Sequence, residues 1–517
     1  MRIAGLRPRG YESALPGARC LLLAWLAAWP GVPVLAQAVS IVGEQQAVFI
    51  NLVGGLPARW ETCAGPCAGP DAPRQFLLRA GEGGNRLEWV VPGDAEATAA
   101  LGELRYTHEV RQGEGTTTVI VSSVAPWDGI QLIHRYRLRR DSPVLEASLQ
   151  IPAGARLRLA AGTDLIPPPL PGLGALYSRA SAVAITADGA ARLDTGVDGE
   201  PVTALLDPGS WAGLRGRFWA LLAAATEPVA VTAAEPQANQ PRLDAGRESG
   251  TAGPVEFRLY AGPIERTALA AADPVLTGML YAGLWQPLRW LAFGLQAILE
   301  FWQARVGSWA LAIILLSASA RLLMWPLTFI AGRWQDQVNR SQSLLAAELA
   351  GTKAAPRGAE TEGQALAVNV RHGVSPWYTL KSHAGLLVQI PVFLAAFGML
   401  GEQFGLAGAR FLWVADLSLP DRLLPFAAPA PFFGTHLNLL PFLMAGLTVL
   451  AARLQEEPGL PPALRLGQRR RRYAMAAAFF VLLYTLPAGM VLYWTTNNAL
   501  HLGGVLARRL KAAGRSA

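Results

Sequence analysis

Gly307-Ser308-Trp309-Ala310-Leu311-Ala312-Ile313-Ile314-Leu315-Leu316-Ser317-Ala318-Ser319-Ala320-Arg321-Leu322-Leu323-Met324-Trp325-Pro326-Leu327-Thr328 is an apolar run that carries one charge, Arg321. About 20 apolar residues suffice for a helix to cross a bilayer, so the run predicts a membrane-spanning helix with a guanidinium past its middle. Holding that group in hydrocarbon costs at least about 2.5–3.5 kcal/mol, and arginine does not escape by losing its proton. Ser317, four residues before Arg321, and Thr328, seven after it, fall on the same helical face. Together they make a polar stripe on an otherwise apolar surface. The stripe predicts a hydrated groove beside the helix. The competing reading is a structural arginine that snorkels to the inner headgroups.

Four further apolar segments follow the first, so that five run over 306–330, 384–400, 437–452, 473–486 and 488–506. None of the five contains Asp or Glu, which removes an intramembrane carboxylate as the partner of Arg321. Gln389 in the second and Thr495, Thr496, Asn497 and Asn498 in the fifth are the polar residues available for the other walls. Charge sets the orientation, because basic loops stay on the cytoplasmic side. Arg333, Arg340, Lys353, Arg357, Arg371 and Lys381 follow the first segment, and Arg453, Arg465 and Arg469 to Arg472 follow the third. Between the second and third, Arg410 and Arg422 are offset by Asp416 and Asp421. Alternate loops are thus basic and neutral, which places the C-terminal tail inside and everything before the first segment outside.

Composition agrees with a membrane protein: 52% of the 517 residues are hydrophobic and only 16% are charged, against about 25% charged in soluble domains. The formal charge is +8, but the bases cluster between apolar segments. A nucleic-acid binder would carry a basic face instead, and no nucleic-acid recognition is expected.

Upstream the period changes from helical to two residues. Leu132, Tyr136 and Leu138 alternate with Gln131, Ile133, Arg135 and Arg137, and Val255, Phe257 and Leu259 with Glu256 and Arg258. Alternation of this kind puts one strand face in a core and the other in water, and predicts an all-β sandwich over 39–270. A short amphipathic helix then follows within 271–305, with Leu288, Leu291, Leu295, Ile298 and Trp302 on one face, suited to the membrane interface. Residues 1–38 read as a secretory signal peptide or N-terminal anchor: Arg7, Arg9 and Arg19 precede an apolar stretch ending in Ala36-Gln37-Ala38. Cys63 and Cys67 lie in an exported Cys-Ala-Gly-Pro-Cys loop, where a local disulfide or two free thiols are the alternatives. Residues 306–507 form the five-helix core, with a cytoplasmic helical hairpin at about 331–380 and a short basic tail at 508–517.

At several places the chain resembles the YidC-type membrane protein insertases of the YidC/Oxa/Alb family. The helix bearing Arg321-Leu322 and Pro326-Leu327-Thr328 is similar to that family's arginine helix. Gln389-Ile390-Pro391 is similar to its Gln-x-Pro segment, and Pro487-Ala488-Gly489-Met490-Val491-Leu492-Tyr493-Trp494 with Asn497-Asn498 to its last helix. Trp211-Ala212-Gly213 and Tyr260-Ala261-Gly262-Pro263 are similar to the periplasmic domain of the Gram-negative branch. Ser375-Pro376 stands where an Asn-Pro is usual, marking a divergent member.

The resemblance implies a non-enzymatic insertase in the bacterial inner membrane, with a periplasmic β-supersandwich and no cofactor or metal. It implies a groove open to the cytoplasm, lined by Arg321, Ser317, Thr328, Gln389, Trp494, Thr495 and Asn498. The partners implied are newly made membrane proteins and the lipid bilayer, beside a Sec-type translocon and the ribosome. The alternative is a polytopic transporter or channel with a sugar-binding-like outer domain, for which internal repeats are expected and none is visible. A sugar-active enzyme would draw on His108 and His134, but no acid–base pair accompanies either.

Overall fold

Two periodicities divide the chain into a β part and a helical part, and the computed structural model follows that division. It describes residues 37–63, 74–79, 84–193, 200–247, 250–351, 384–455 and 462–516. The expected targeting segment up to residue 36, Cys67 and with it the choice between a disulfide and free thiols, and the part of the expected hairpin beyond residue 351 lie outside the described residues.

Among the described residues, three antiparallel sheets make up the β part. A nine-stranded sheet runs, in spatial order, through Gly189–Arg192, Ser181–Thr186, Trp211–Arg215, Trp219–Ala225, Gly253–Pro263, Val144–Ile151, Ile133–Arg139, Thr116–Ser123 and Tyr106–Gly113. Along Ile133–Arg139 the side chains of His134, Tyr136 and Leu138 are buried, and those between them are exposed. A five-stranded sheet contains Arg156–Ala160 beside Arg242–Gly246, and a four-stranded one begins the described chain at Ala38–Val42. Side chains from all three sheets meet in one core, among them Trp60, Tyr136, Leu157, Leu243 and Phe257. Among the described residues one α-helix interrupts the strands, α1 (Ala95–Glu103), which starts where the Asp94 carboxylate accepts from the Ala97 amide. The β part is therefore not purely β. An aspartate cap followed by alanine-rich sequence outweighs the surrounding strand pattern.

After the last long strand come α2 (Arg266–Ala272) and α3 (Gln286–Val306). Helix α3 buries Ala292, Leu295, Gln296 and Leu299 and exposes Trp290 and Phe301, with the exposed Trp285 just before its start. The buried stripe is turned slightly from the Leu288–Leu291–Ile298 face that spacing suggests, because α3 packs on two later helices at once. It stops at Gly307, whose φ of 65° forms the left-handed cap that favours glycine.

Helix α4 (Trp309–Gly351) then continues unbroken past Pro326, followed by α5 (Ala384–Glu402), α6 (Leu439–Leu454), α7 (Pro462–Leu483) and α8 (Ala488–Ser516). Among the described residues, Trp309–Trp334 is the stretch long and apolar enough to cross a membrane, with Gln389–Glu402 and Leu439–Leu454 as shorter apolar helices. Helix α8 packs against α4, α5 and α6.

The two parts share a second core. Trp211, Leu222 and Tyr260, on the other face of the nine-stranded sheet, join Met279, Leu295, Leu316, Met399 and Tyr493. Polar contacts fasten the same junction. Arg215 pairs with Glu402 at 3.0 Å, and Glu402 also accepts from the Tyr281 amide at 3.0 Å. The Arg217 guanidinium, 7% exposed, donates to the carbonyls of Gly401 at 2.8 Å and Ser418 at 2.6 Å. It also lies over the rings of Tyr177 and Phe218. A side chain at Gly401 would run into the Tyr177 ring, so that close approach requires glycine.

Candidate functional site

Helices α4 and α8 meet along a polar seam built from one-turn spacings. Residues four apart lie on one helical face, which aligns Ser317 and Arg321 on α4 and Tyr493, Asn497 and His501 on α8. Ser317 is fully buried and its Oγ donates to the Tyr493 carbonyl at 2.9 Å. One turn on, Arg321 Nη1 donates to the Asn497 carbonyl at 3.3 Å. At the next turn of α8, Arg321 Nη2 lies 3.5 Å from His501 Nδ1. A guanidinium has only donors, so this contact requires Nδ1 to accept and the ring proton to sit on Nε2.

Arg321 itself is half-buried. Among the described residues no ion pair involves it. Its surroundings are cationic instead: Arg508 is within electrostatic reach of Arg321, and Arg472 and Arg508 are within reach of His501. The guanidinium is thus held by neutral acceptors beside other positive groups.

The remaining candidates take other positions. Thr328 is exposed, and its Oγ1 donates back to the Trp325 carbonyl at 3.0 Å. Gln389 is exposed on α5. Trp494 is 9% exposed and its ring stacks on Phe479 at 4.9 Å, with Phe393 edge-on at 4.7 Å. Thr495 donates to its own helix at the Val491 carbonyl, 2.7 Å away. Asn498 turns towards α6, donating to Thr448 Oγ1 at 2.9 Å. The structure therefore brings Ser317 against Tyr493 and Arg321 against Asn497 on one seam, and leaves Asn498, Trp494 and Thr495 with other contacts of α8. His501 escapes a search for hydroxyl and amide residues. Its signal is positional: it lies four residues after Asn497, and it is the one histidine in the last apolar segment.

The histidines of the β part have ordinary roles. His134 is buried between Trp89 and Tyr106, its Nδ1 accepting from the Gln150 amide and its Nε2 3.2 Å from the Tyr106 hydroxyl. Burial pushes its pKa down to about 3, so the ring is neutral. His108 is exposed on the edge strand Tyr106–Gly113.

Residues 301–510 match the family model described as "60Kd inner membrane protein". The membrane protein insertase YidC of Chlamydia trachomatis is 28% identical over 274 residues, covering 48% of this chain and 33% of that protein. That of Shewanella pealeana is 30% identical over 252 residues, covering 48% of this chain and 41% of that protein. The chain spans less than half the length of these curated relatives. Among solved structures, a galactose mutarotase related enzyme from Lactobacillus acidophilus aligns at a TM-score of 0.27 and 10% identity, covering 44% of this chain and 97% of that chain.

Proposed function

We propose that the protein is a membrane protein insertase, on the premise that its residues 301–510 match the family model of the 60Kd inner membrane protein. The observation that carries the reading is the state of Arg321. A charge that is costly in hydrocarbon is held by a backbone carbonyl and an imidazole, so it is not neutralised by an acid and attracts polar or acidic segments of an incoming chain.

In this reading α4 to α8 all cross the inner membrane, with the basic ends of α4 and α7 and the end of α8 in the cytoplasm. The β part and α3 lie on the periplasmic side. A groove beside the α4–α8 seam receives newly made polypeptide from the cytoplasm, with Arg321, Thr328 and Gln389 towards the client. Ser317, Trp494, Thr495 and Asn498 hold its walls. The client helix then leaves sideways into lipid. A Sec-type translocon and the ribosome are the partners proposed on the two sides of the route. The chemistry is transfer between phases, with no bond made or broken.

The test uses the full chain in proteoliposomes and a protease-protection assay for client insertion. Wild-type protein inserts clients, and Arg321→Ala accumulates normally but loses most insertion. Unimpaired insertion of every client tested would overturn the role given to Arg321.

A further inference from the structure

Half of the polar seam is carried by α8, and the start of α8 is set outside the helical bundle. The first N–H groups of a helix have no partner within it. In α8 the amides of Ala488 and Gly489 donate to the carbonyls of Leu419 and Leu417, each at 2.8 Å. Between those two acceptors lies Ser418, whose own carbonyl takes the 2.6 Å bond from Arg217 Nη1. The same guanidinium holds the end of α5 through the Gly401 carbonyl. Three successive carbonyls thus fix the start of α8 and tie it to a strand end of the β part.

We propose that Arg217 is a positioning residue through which the β part sets the register of α8 against α4, and so the groups that hold Arg321. Asn497 lies nine residues beyond Ala488, about 13.5 Å along a helix, and a rigid helix carries a displacement at its start over that distance. The side chain suits this role better than it suits stability. A buried cation without a carboxylate bond is expensive, and an apolar residue would fill the space. A planar fork, however, reaches two carbonyls on separate segments at once. Burial lowers the Arg217 pKa only to about 10, so the fork stays charged. The consequence for insertion rests on the function proposed above; the geometry does not.

The experiment uses the full chain with Cys20, Cys63 and Cys67 replaced by Ser and spin labels at Leu322→Cys and Leu500→Cys, which flank Arg321 and His501. Arg217→Met broadens the distance distribution between the labels and lowers client insertion by roughly tenfold, within what an ångström of misplacement does to a bound group. Arg215→Gln, which breaks the neighbouring pair with Glu402, changes neither. Arg217→Lys, which keeps the charge without the fork, falls between wild type and Arg217→Met, and it decides the matter if Arg217→Met fails to fold. An unchanged distribution in Arg217→Met, equal broadening in Arg215→Gln, or wild-type behaviour of Arg217→Lys overturns the proposal. If the labels shift as stated but the wild type inserts no client, the clamp stands and the insertase reading fails.

Discussion

The Ser317 hydroxyl donates to the carbonyl of Tyr493 at 2.9 Å, one turn before Arg321 reaches the carbonyl of Asn497. The two contacts make a ladder in which α4 supplies side-chain donors and α8 supplies backbone acceptors. Backbone acceptors are insensitive to the identity of the α8 side chains, so the seam depends mainly on helix register. The wholly buried rung belongs to Ser317 and the half-buried one to Arg321. One therefore fastens the helices while the other stays partly accessible.

Ser317→Ala removes one donor and leaves the Tyr493 carbonyl its place in the helix, so its cost is about 0.5–1.5 kcal/mol. Ser317→Leu puts extra volume into a site with no exposure and costs about 1–3 kcal/mol by overpacking. Thermal unfolding of the full chain in detergent should rank wild type above Ser317→Ala, and Ser317→Ala above Ser317→Leu. A reversed order of the two variants would show that the position tolerates bulk and that the bond matters more than the fit.

Much of this was legible in the sequence because periodicity is a local property. The two-residue period around Tyr136 says which face is buried without knowledge of what buries it, and the apolar run around Arg321 says that a long apolar helix forms there. The phase of one helix against another is not local. Asn497 and Asn498 look equivalent in the sequence, yet they differ by about 100° around α8; the first meets Arg321 through its backbone carbonyl and the second meets Thr448 through its side-chain amide. Packing of α8 between α4 and α6 decides between them, and it also brings in His501. Helix α1 was hidden for another reason: a single cap at Asp94 starts it inside a region whose overall pattern is that of strands.

His134 gives the β part a pH dependence of known sign. Its pKa falls from about 6.5 in the unfolded chain to about 3 when buried. The unfolded state therefore binds the proton first as pH drops. The stabilisation is full above about pH 6.5 and is lost progressively towards pH 3, at up to about 1.4 kcal/mol per pH unit. Denaturation followed by tryptophan fluorescence should show this slope in the wild type. His134→Gln should flatten it, although the variant is less stable at pH 7. Parallel slopes for the two proteins would assign the acid sensitivity to other groups.

Arg158 and Asp244 form a two-bond pair at 2.7 and 2.8 Å across adjacent strands, with little exposure on either side. Breaking such a pair from one side leaves a buried charge, so Arg158→Leu costs about 3–5 kcal/mol. Arg158→Leu with Asp244→Leu recovers much of that loss, since two apolar side chains replace the pair without leaving a charge. Urea unfolding of the β part within the full chain measures both. A double variant no more stable than Arg158→Leu would mean that the strands need the ion pair for their register.

Arg321→Lys separates charge from shape at the seam. Lysine keeps the positive charge but concentrates it in one compact head, whereas the guanidinium touches the Asn497 carbonyl and His501 Nδ1 with different nitrogens. If attraction for the client is chiefly electrostatic, Arg321→Lys retains most insertion, and Arg321→Leu loses it. If the fork's two contacts hold the groove open, Arg321→Lys falls nearly as far as Arg321→Leu. The first outcome is expected, because the contact with His501 at 3.5 Å is at the limit of a hydrogen bond. Arg321→Lys should therefore keep insertion within about threefold of wild type, the loss expected for a contact worth under about 1 kcal/mol. His501→Leu should behave similarly, leaving Arg321 its bond to the carbonyl. Rates of client insertion in proteoliposomes, compared at equal amounts of reconstituted protein, distinguish these cases. A loss in His501→Leu as deep as that in Arg321→Leu would make the imidazole, and not the carbonyl, the group that keeps the guanidinium in place.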